Sequence, residues 1–202
     1  MGNALRIPSN RQKLLNNVTA QIDVVTGFKA GLSRTQSTLN LGQITSMPAT
    51  IPPTHLWFLN SLVTVHVSMS ESADSISVLE HRGPYGFSPP LHLHRTEDEV
   101  LHVLEGEFRV KVKDQERRLG PGDIMLAPKN VPHTYRIESK AGGRCLTTTV
   151  RGDFERFVRA MSRPAERPEL PEPMAALSGE FLQELKTAAA KHGIEFVGPP
   201  LQ

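Results

Sequence analysis

Two short stretches, in which glycine and histidine recur at fixed spacing, constrain this chain more than anything else in it. The first runs Gly86-Phe-Ser-Pro-Pro-Leu-His92-Leu-His94-Arg-Thr-Glu-Asp-Glu99 and continues to Gly106. The second is Gly122-Asp-Ile-Met-Leu-Ala-Pro128-Lys-Asn-Val-Pro-His133. Side chains two apart in a strand share a face, so His92 and His94 can grip one ion. Glu99 follows a turn over residues 95–98 and swings back on the next strand as a hard oxygen donor. His133, behind Pro132, closes the set from a separate strand. Glu97 and Asp98 are rival carboxylates, but the strand is expected to start at Glu99, and a carboxylate in the preceding turn is expected to face solvent. Three nitrogens and one oxygen suit Fe, Mn, Ni, Co or Zn and leave room for water, dioxygen or substrate.

The two stretches resemble the paired motifs of the cupin superfamily. The first motif reads Gly, five residues, His-x-His, three or four residues, Glu, six residues, Gly; Gly86, His92, His94, Glu99 and Gly106 stand at those positions. The second reads Gly, five residues, Pro-x-Gly, two residues, His, three residues, Asn. Gly122, Pro128 and His133 match it, Asn130 replaces the second Gly, and Ile137 replaces the final Asn. Asn also tolerates positive φ. The resemblance implies an all-β jelly-roll barrel, or double-stranded β-helix, with one divalent transition metal ion per chain held by His92, His94, Glu99 and His133. The run His55-Leu-Trp-Phe-Leu59, together with a C-terminal helix, Pro-rich strap, helix and Gly-Pro-Pro-Leu ending, is similar to quercetinase-like monocupins, so the resemblance spans roughly residues 55–202.

That likeness implies a metal-dependent dioxygenase resembling quercetin 2,3-dioxygenase, using O2 on a flavonol-like or other enolizable aromatic substrate. Glu99 would act there as catalytic base as well as ligand. Two alternatives stand beside it: a non-catalytic metal-binding cupin serving as a small-molecule binding module, and another cupin enzyme such as an isomerase or decarboxylase. One fold hosts many chemistries. Pocket polarity separates them, since inward Arg or Lys groups favour small acids and an apolar aromatic lining favours flavonols. Three neutral imidazoles and one carboxylate leave a divalent site near +1, which favours an anionic substrate.

Bulk composition narrows the partners. A net charge of +2 with interspersed signs argues against a nucleic-acid stripe or a membrane patch. No apolar run approaches the roughly 18 residues of a membrane span, and no secretory signal is visible, so a cytoplasmic protein is expected. The single cysteine, Cys145, excludes an intramolecular disulfide framework and is read as a buried apolar residue. Three segments are expected: an N-terminal arm over residues 1–54, weakly ordered and basic (Arg6, Arg11, Lys13, Lys29 and Arg34 against Asp23), a β-barrel over 55–150, and a helical extension over 151–202. A homodimer is expected, paired through a strand near residues 56–68 because open sheet edges need cover.

Within the barrel, alternation predicts strands over 62–69, 75–81 with Ile76, Val78 and Glu80 on one face, and 108–113 with Phe108, Val110 and Val112 on one face. His102 should point away from the interior if Glu99 points in. His55, His66, His81 and His192 lie outside the motifs and are read as structural or surface groups. Phe58, Phe87, Met125 and Tyr135 are candidate pocket-lining residues. Phe154, Phe157, Val158 and Met161 at i, i+3, i+4 and i+7 predict an amphipathic helix over 153–162 capped by Asp153, read as a clamp over the barrel end. A second helix over 178–192 is expected, capped by Ser178 and closed by Gly193. The tail from Gly193 should form a short strand or strap.

Overall fold

The structure, a computed structural model, describes residues 54–174 and 178–202. The expected N-terminal arm over residues 1–54 therefore lies outside the described residues, Thr54 apart. Ten strands follow in succession: β1 (Thr54–Phe58), β2 (Ser61–Val67), β3 (Ile76–Gly83), β4 (Leu91–His94), β5 (Glu99–Glu105), β6 (Phe108–Val112), β7 (Gln115–Leu119), β8 (Ile124–Ala127), β9 (His133–Ile137) and β10 (Gly143–Val150). Of these, β3, β5 and β10 alternate most clearly. Helix α1 (Asp153–Met161), the two-residue β11 (Arg163–Pro164), helix α2 (Gly179–Lys191) and β12 (Ile194–Gly198) follow.

The strands form two layers, a seven-stranded sheet ordered β11-β1-β2-β3-β10-β5-β8 and a five-stranded sheet ordered β12-β4-β9-β6-β7. Neighbours in each layer pair antiparallel, and β3–β10–β5 and β4–β9–β6 bring distant segments side by side. This is the expected all-β jelly roll with a short helical extension. One end of the interior is filled by Leu101, Val103, Phe108, Val110, Leu119, Ile137 and Cys145. At the other, Leu56, Phe58, Val63, Val65 and Leu79 meet Phe154, Phe157 and Val158 of α1, Leu185 and Ala189 of α2, and Ile194 of β12. Each large apolar side chain so buried is worth about 1.5–3 kcal/mol, and none of that depends on an ion.

Most local expectations hold. Glu99, Leu101 and Val103 of β5 face inward and are buried, while His102 is only partly buried. Cys145 is buried, and burial pushes its thiol pKa up. In β3 the alternation is present, but Ser77, Leu79 and His81 fill the interior while Ile76 is exposed and Val78 and Glu80 are half-buried. The α1 cap also differs. Gly152, in the left-handed region at φ 71°, precedes the helix with no side-chain cap, and Asp153 is its first residue. A Cβ at Gly152 would lie 2.5 Å from Met69 Cβ, so the close packing of the 3₁₀ turn at Met69–Glu71 excludes a capping side chain there.

Helix α2 behaves as expected: the Ser178 side chain accepts from Phe181 N–H at 3.1 Å, and Gly193 takes φ 68° just past the end. The strap after α1 runs along the edge of β1, with Arg163 stacked over the Trp57 ring at 4.2 Å and Trp57 Nε1–H donating to Glu169 O at 2.8 Å. It pairs with the outer edge of β1 at Leu56 and Trp57. At the far edge of the same sheet, β8 pairs only with β5 among the described residues and exposes Ile124 and Leu126. No helix among the described residues is long and apolar enough to cross a membrane.

Candidate metal centre

The short strand β4 reads Leu-His-Leu-His, and its period of two turns His92 and His94 to the same side. His133 opens β9 and lies directly opposite His92 in register. The three rings are in mutual contact, with centroids 4.4 Å apart for His92 and His133, 5.3 Å for His94 and His133, and 5.4 Å for His92 and His94. Glu99 opens β5 in the facing sheet and extends across the interior. One ligand atom from each of His92, His94, Glu99 and His133 lies within 4.8 Å of all the others, and all four residues are buried. The closest approaches to Glu99 Oε2 are His94 Nε2 at 3.2 Å and His133 Nε2 at 3.7 Å.

The outer nitrogens of the rings fix which atoms face inward. His92 Nδ1 lies 2.8 Å from Pro90 O, and His133 Nδ1 lies 2.9 Å from Val131 O. A carbonyl only accepts, so each Nδ1 carries the proton and each neutral ring presents a bare Nε2 lone pair. His94 Nδ1 lies 3.1 Å from the Glu97 carboxylate and follows the same rule. Meanwhile His94 Nε2, His133 Nε2 and Glu99 Oε2 are buried atoms with no hydrogen-bond partner among the described residues. Orphaned buried polar atoms are costly and rare. Donors bound at about 2.1 Å to one ion sit roughly 3–3.5 Å apart, so these separations fit a transition metal with small adjustments, and the cluster could hold one ion.

Charge at the centre follows from burial. Burial, and then repulsion from His133 and His94, lowers His92 to about 3, so that ring is neutral. Burial would lower His94 too, but the Glu97 and Glu99 carboxylates outweigh it and raise the imidazole to about 9. For Glu99, burial raises the pKa, yet contacts with His133 and His94 hold the carboxyl well below the usual range. Without an ion, the carboxylates on either side thus favour the protonated form of His94.

Glu97 is the main correction to the sequence reading. It does not face solvent: it is 3% exposed, and its Oε1 accepts from both His94 Nδ1–H and the Phe154 backbone N–H, the latter at 2.7 Å. It is not a rival to Glu99 for an ion but the carboxylate that orients His94 from behind, and it ties that ring to the first turn of α1. Together Glu97 and Glu99 match a divalent charge, so the expected excess of +1 is offset. Asp98 does face solvent, where it accepts from Lys129 N–H at 2.8 Å.

A cavity opens beside the cluster, with His92 and Glu99 in its wall. Of the expected lining residues Phe58, Phe87 and Tyr135 are present, whereas Met125 packs into the opposite core. Phe154 and Phe157 line the cavity as well, so α1 is a wall of the site in addition to a clamp. His81, assigned from sequence to a structural role, also lines it; the one signal that pointed there was its period-two phase with Ser77 and Leu79.

Comparison with known proteins agrees with this geometry. The family pattern described as cupin domain matches residues 78–149, which carry both histidine stretches and all four converging residues. Residues 78–149 are a cupin domain. Over 115 residues the chain is 32% identical to quercetin 2,3-dioxygenase of Bacillus subtilis (strain 168), a match covering 56% of this chain and 34% of that protein. The chain therefore spans about a third of the length of the curated relative it matches. Among solved structures, an RmlC-like cupin from Shewanella frigidimarina NCIMB 400 is 24% identical, covering 50% of this chain and 88% of that one at a TM-score of 0.43. KdgF from Halomonas sp. is 20% identical, covering 45% and 78% at a TM-score of 0.41.

Proposed function

We propose that this cupin is a metal-dependent dioxygenase acting with O2 on a flavonol-like or other enolizable aromatic substrate, with His92, His94, Glu99 and His133 as ligands. The observation that carries the reading is the cavity: it adjoins the four converging donors, and its lining is rich in Phe and, among the described residues, contains no Arg or Lys. Apart from the metal itself, a small carboxylic acid would find no cationic side chain in this wall, which disfavours the decarboxylase and isomerase alternatives. The 32% identity to a quercetin 2,3-dioxygenase supports the same choice.

A divalent ion bound by these residues supplies Lewis acidity that lowers the pKa of a substrate hydroxyl. The chain does the rest. Three Nε2 lone pairs, fixed by their Nδ1–H partners, would hold an ion from the side of the five-stranded sheet. Glu99 reaches from the other sheet, stays ionised, and sits in the cavity wall where its carboxylate can accept the substrate's hydroxyl proton. Phe58, Phe87, Phe154 and Phe157 exclude water and stack on a planar ring. The free space inside is only about 50 Å³, enough for a few waters, so a ring-sized substrate requires the wall to open around it.

Oxygen consumption with a flavonol, normalised to bound metal, tests the proposal. Wild type loaded with Fe, Mn, Ni or Co should turn over. Glu99→Gln should retain part of its metal through the amide oxygen yet lose about 10²–10⁴ in rate for want of a base. No uptake by wild type under any loading would reject the dioxygenase reading in favour of the binding module.

A further inference from the structure

His81 is built into the inner face of the seven-stranded sheet, where packing calls for an apolar side chain. Its register partners on the flanking strands are Val63 of β2 and Cys145 of β10, both buried and without charge. The residue is 6% exposed, yet its Nε2 has no hydrogen-bond partner among the described residues. A valine or leucine here would continue the core of Val63 and Leu79 without leaving a buried polar atom unpaired. Its ring stacks on Phe154, with centroids 5.6 Å apart and planes 25° off parallel. The same Phe154 ring lies 5.5 Å from His94. Phe154 thus bridges His81 to the metal-side cluster, and His81 lines the same cavity as His92 and Glu99.

We infer that His81 is a substrate-binding residue whose imidazole hydrogen-bonds a second oxygen function of the ligand, a ring hydroxyl, while a first oxygen is directed to the His92–His94–Glu99–His133 cluster. This rests on the reading of the cavity as the site of an enolizable aromatic substrate and adds to it the requirement for a ring hydroxyl remote from the enol. Burial lowers His81 to about 4, so the ring is neutral at pH 7 and offers one donor and one acceptor. A neutral partner suits a phenol better than a carboxylate, in keeping with a wall that, among the described residues, contains no Arg or Lys.

The test uses the metal-loaded full chain and two probes, quercetin and 3-hydroxyflavone, which share the enol but differ in ring hydroxyls. By calorimetry, wild type should bind quercetin more tightly. His81→Leu should weaken quercetin about tenfold, the worth of one lost hydrogen bond, and leave 3-hydroxyflavone within twofold. Metal content should be unchanged, and thermal stability equal or higher. His81→Gln, which retains donor and acceptor, should recover part of the loss. A measurement on wild type itself guards against a variant that misfolds: quercetin, and not 3-hydroxyflavone, should shift the His81 ring ¹⁵N resonances. Equal weakening of both probes by His81→Leu, or no resonance shift in wild type, overturns the assignment while leaving the substrate class standing. Failure of wild type to bind either probe removes the substrate class and the His81 assignment together.

Discussion

Replacing Glu97 separates its two duties. One carboxylate oxygen accepts from the ring of His94 and from the first turn of α1, while the other, Oε2, has no partner. In Glu97→Ala both donors are left buried and unpaired. Each such group costs about 1–3 kcal/mol, so a loss of roughly 3 kcal/mol in stability is expected. Glu97→Gln can keep both hydrogen bonds through its amide oxygen and place its NH2 where Oε2 already lacks a partner, so its stability loss should be nearer 1 kcal/mol. The metal sees a different series. A carboxylate behind a ligating histidine raises its basicity, and removing such a partner typically costs 10–100-fold in affinity. Glu97→Gln should therefore lose about tenfold and Glu97→Ala up to about a hundredfold. Chelator competition on the reconstituted protein measures affinity, thermal unfolding measures stability, and hydrogen exchange at the Phe154 amide reports whether the tie to α1 survives. Metal affinity unchanged within twofold in both variants would show that Glu97 serves only the helix, and the argument from His94 would fail.

The remaining predictions concern protons, ligands and assembly. Because His94 is raised from 6.5 to about 9, its charged form stabilises the metal-free protein fully below pH 6.5, and that contribution is lost as pH rises through 9. Metal must displace this proton, so affinity should climb by about tenfold per pH unit up to 9 and then flatten; calorimetry in buffers of different ionisation enthalpy that shows no proton release would contradict it. His94→Ala or His133→Ala should cut bound metal to a small fraction of wild type with the far-ultraviolet β signal intact, since the barrel core does not need the ion; equal metal in wild type and the double variant would sink the ligand assignment. We also propose a homodimer, paired through the open edge at β8 because the strap covers the outer edge of β1; light scattering showing a monomer at every concentration would exclude it.

How much could be read in advance depended on distance along the chain. His92 and His94 were legible because a strand's period of two is enforced by local backbone geometry, and Glu99 and His133 because each opens a strand at a position set by adjacent turn residues. The helix faces at Phe154, Phe157 and Val158, and the Ser178 cap, were legible for the same local reason. What escaped was decided by partners distant in sequence. Glu97 is buried because α1, more than fifty residues later, presents a backbone N–H to its carboxylate; without that donor, a charged side chain in a turn belongs in water. The Asp153 cap gave way to Gly152 because Met69 packs too closely for any Cβ. β3 carried alternation on both faces, so period alone could not say which face was interior, and His81 was placed in the cavity only by the sheet on either side of it. Spacing along the chain determined which side chains could meet an ion; which groups stand behind and across from that ion was determined by layers whose contacts leave no periodic mark on the sequence.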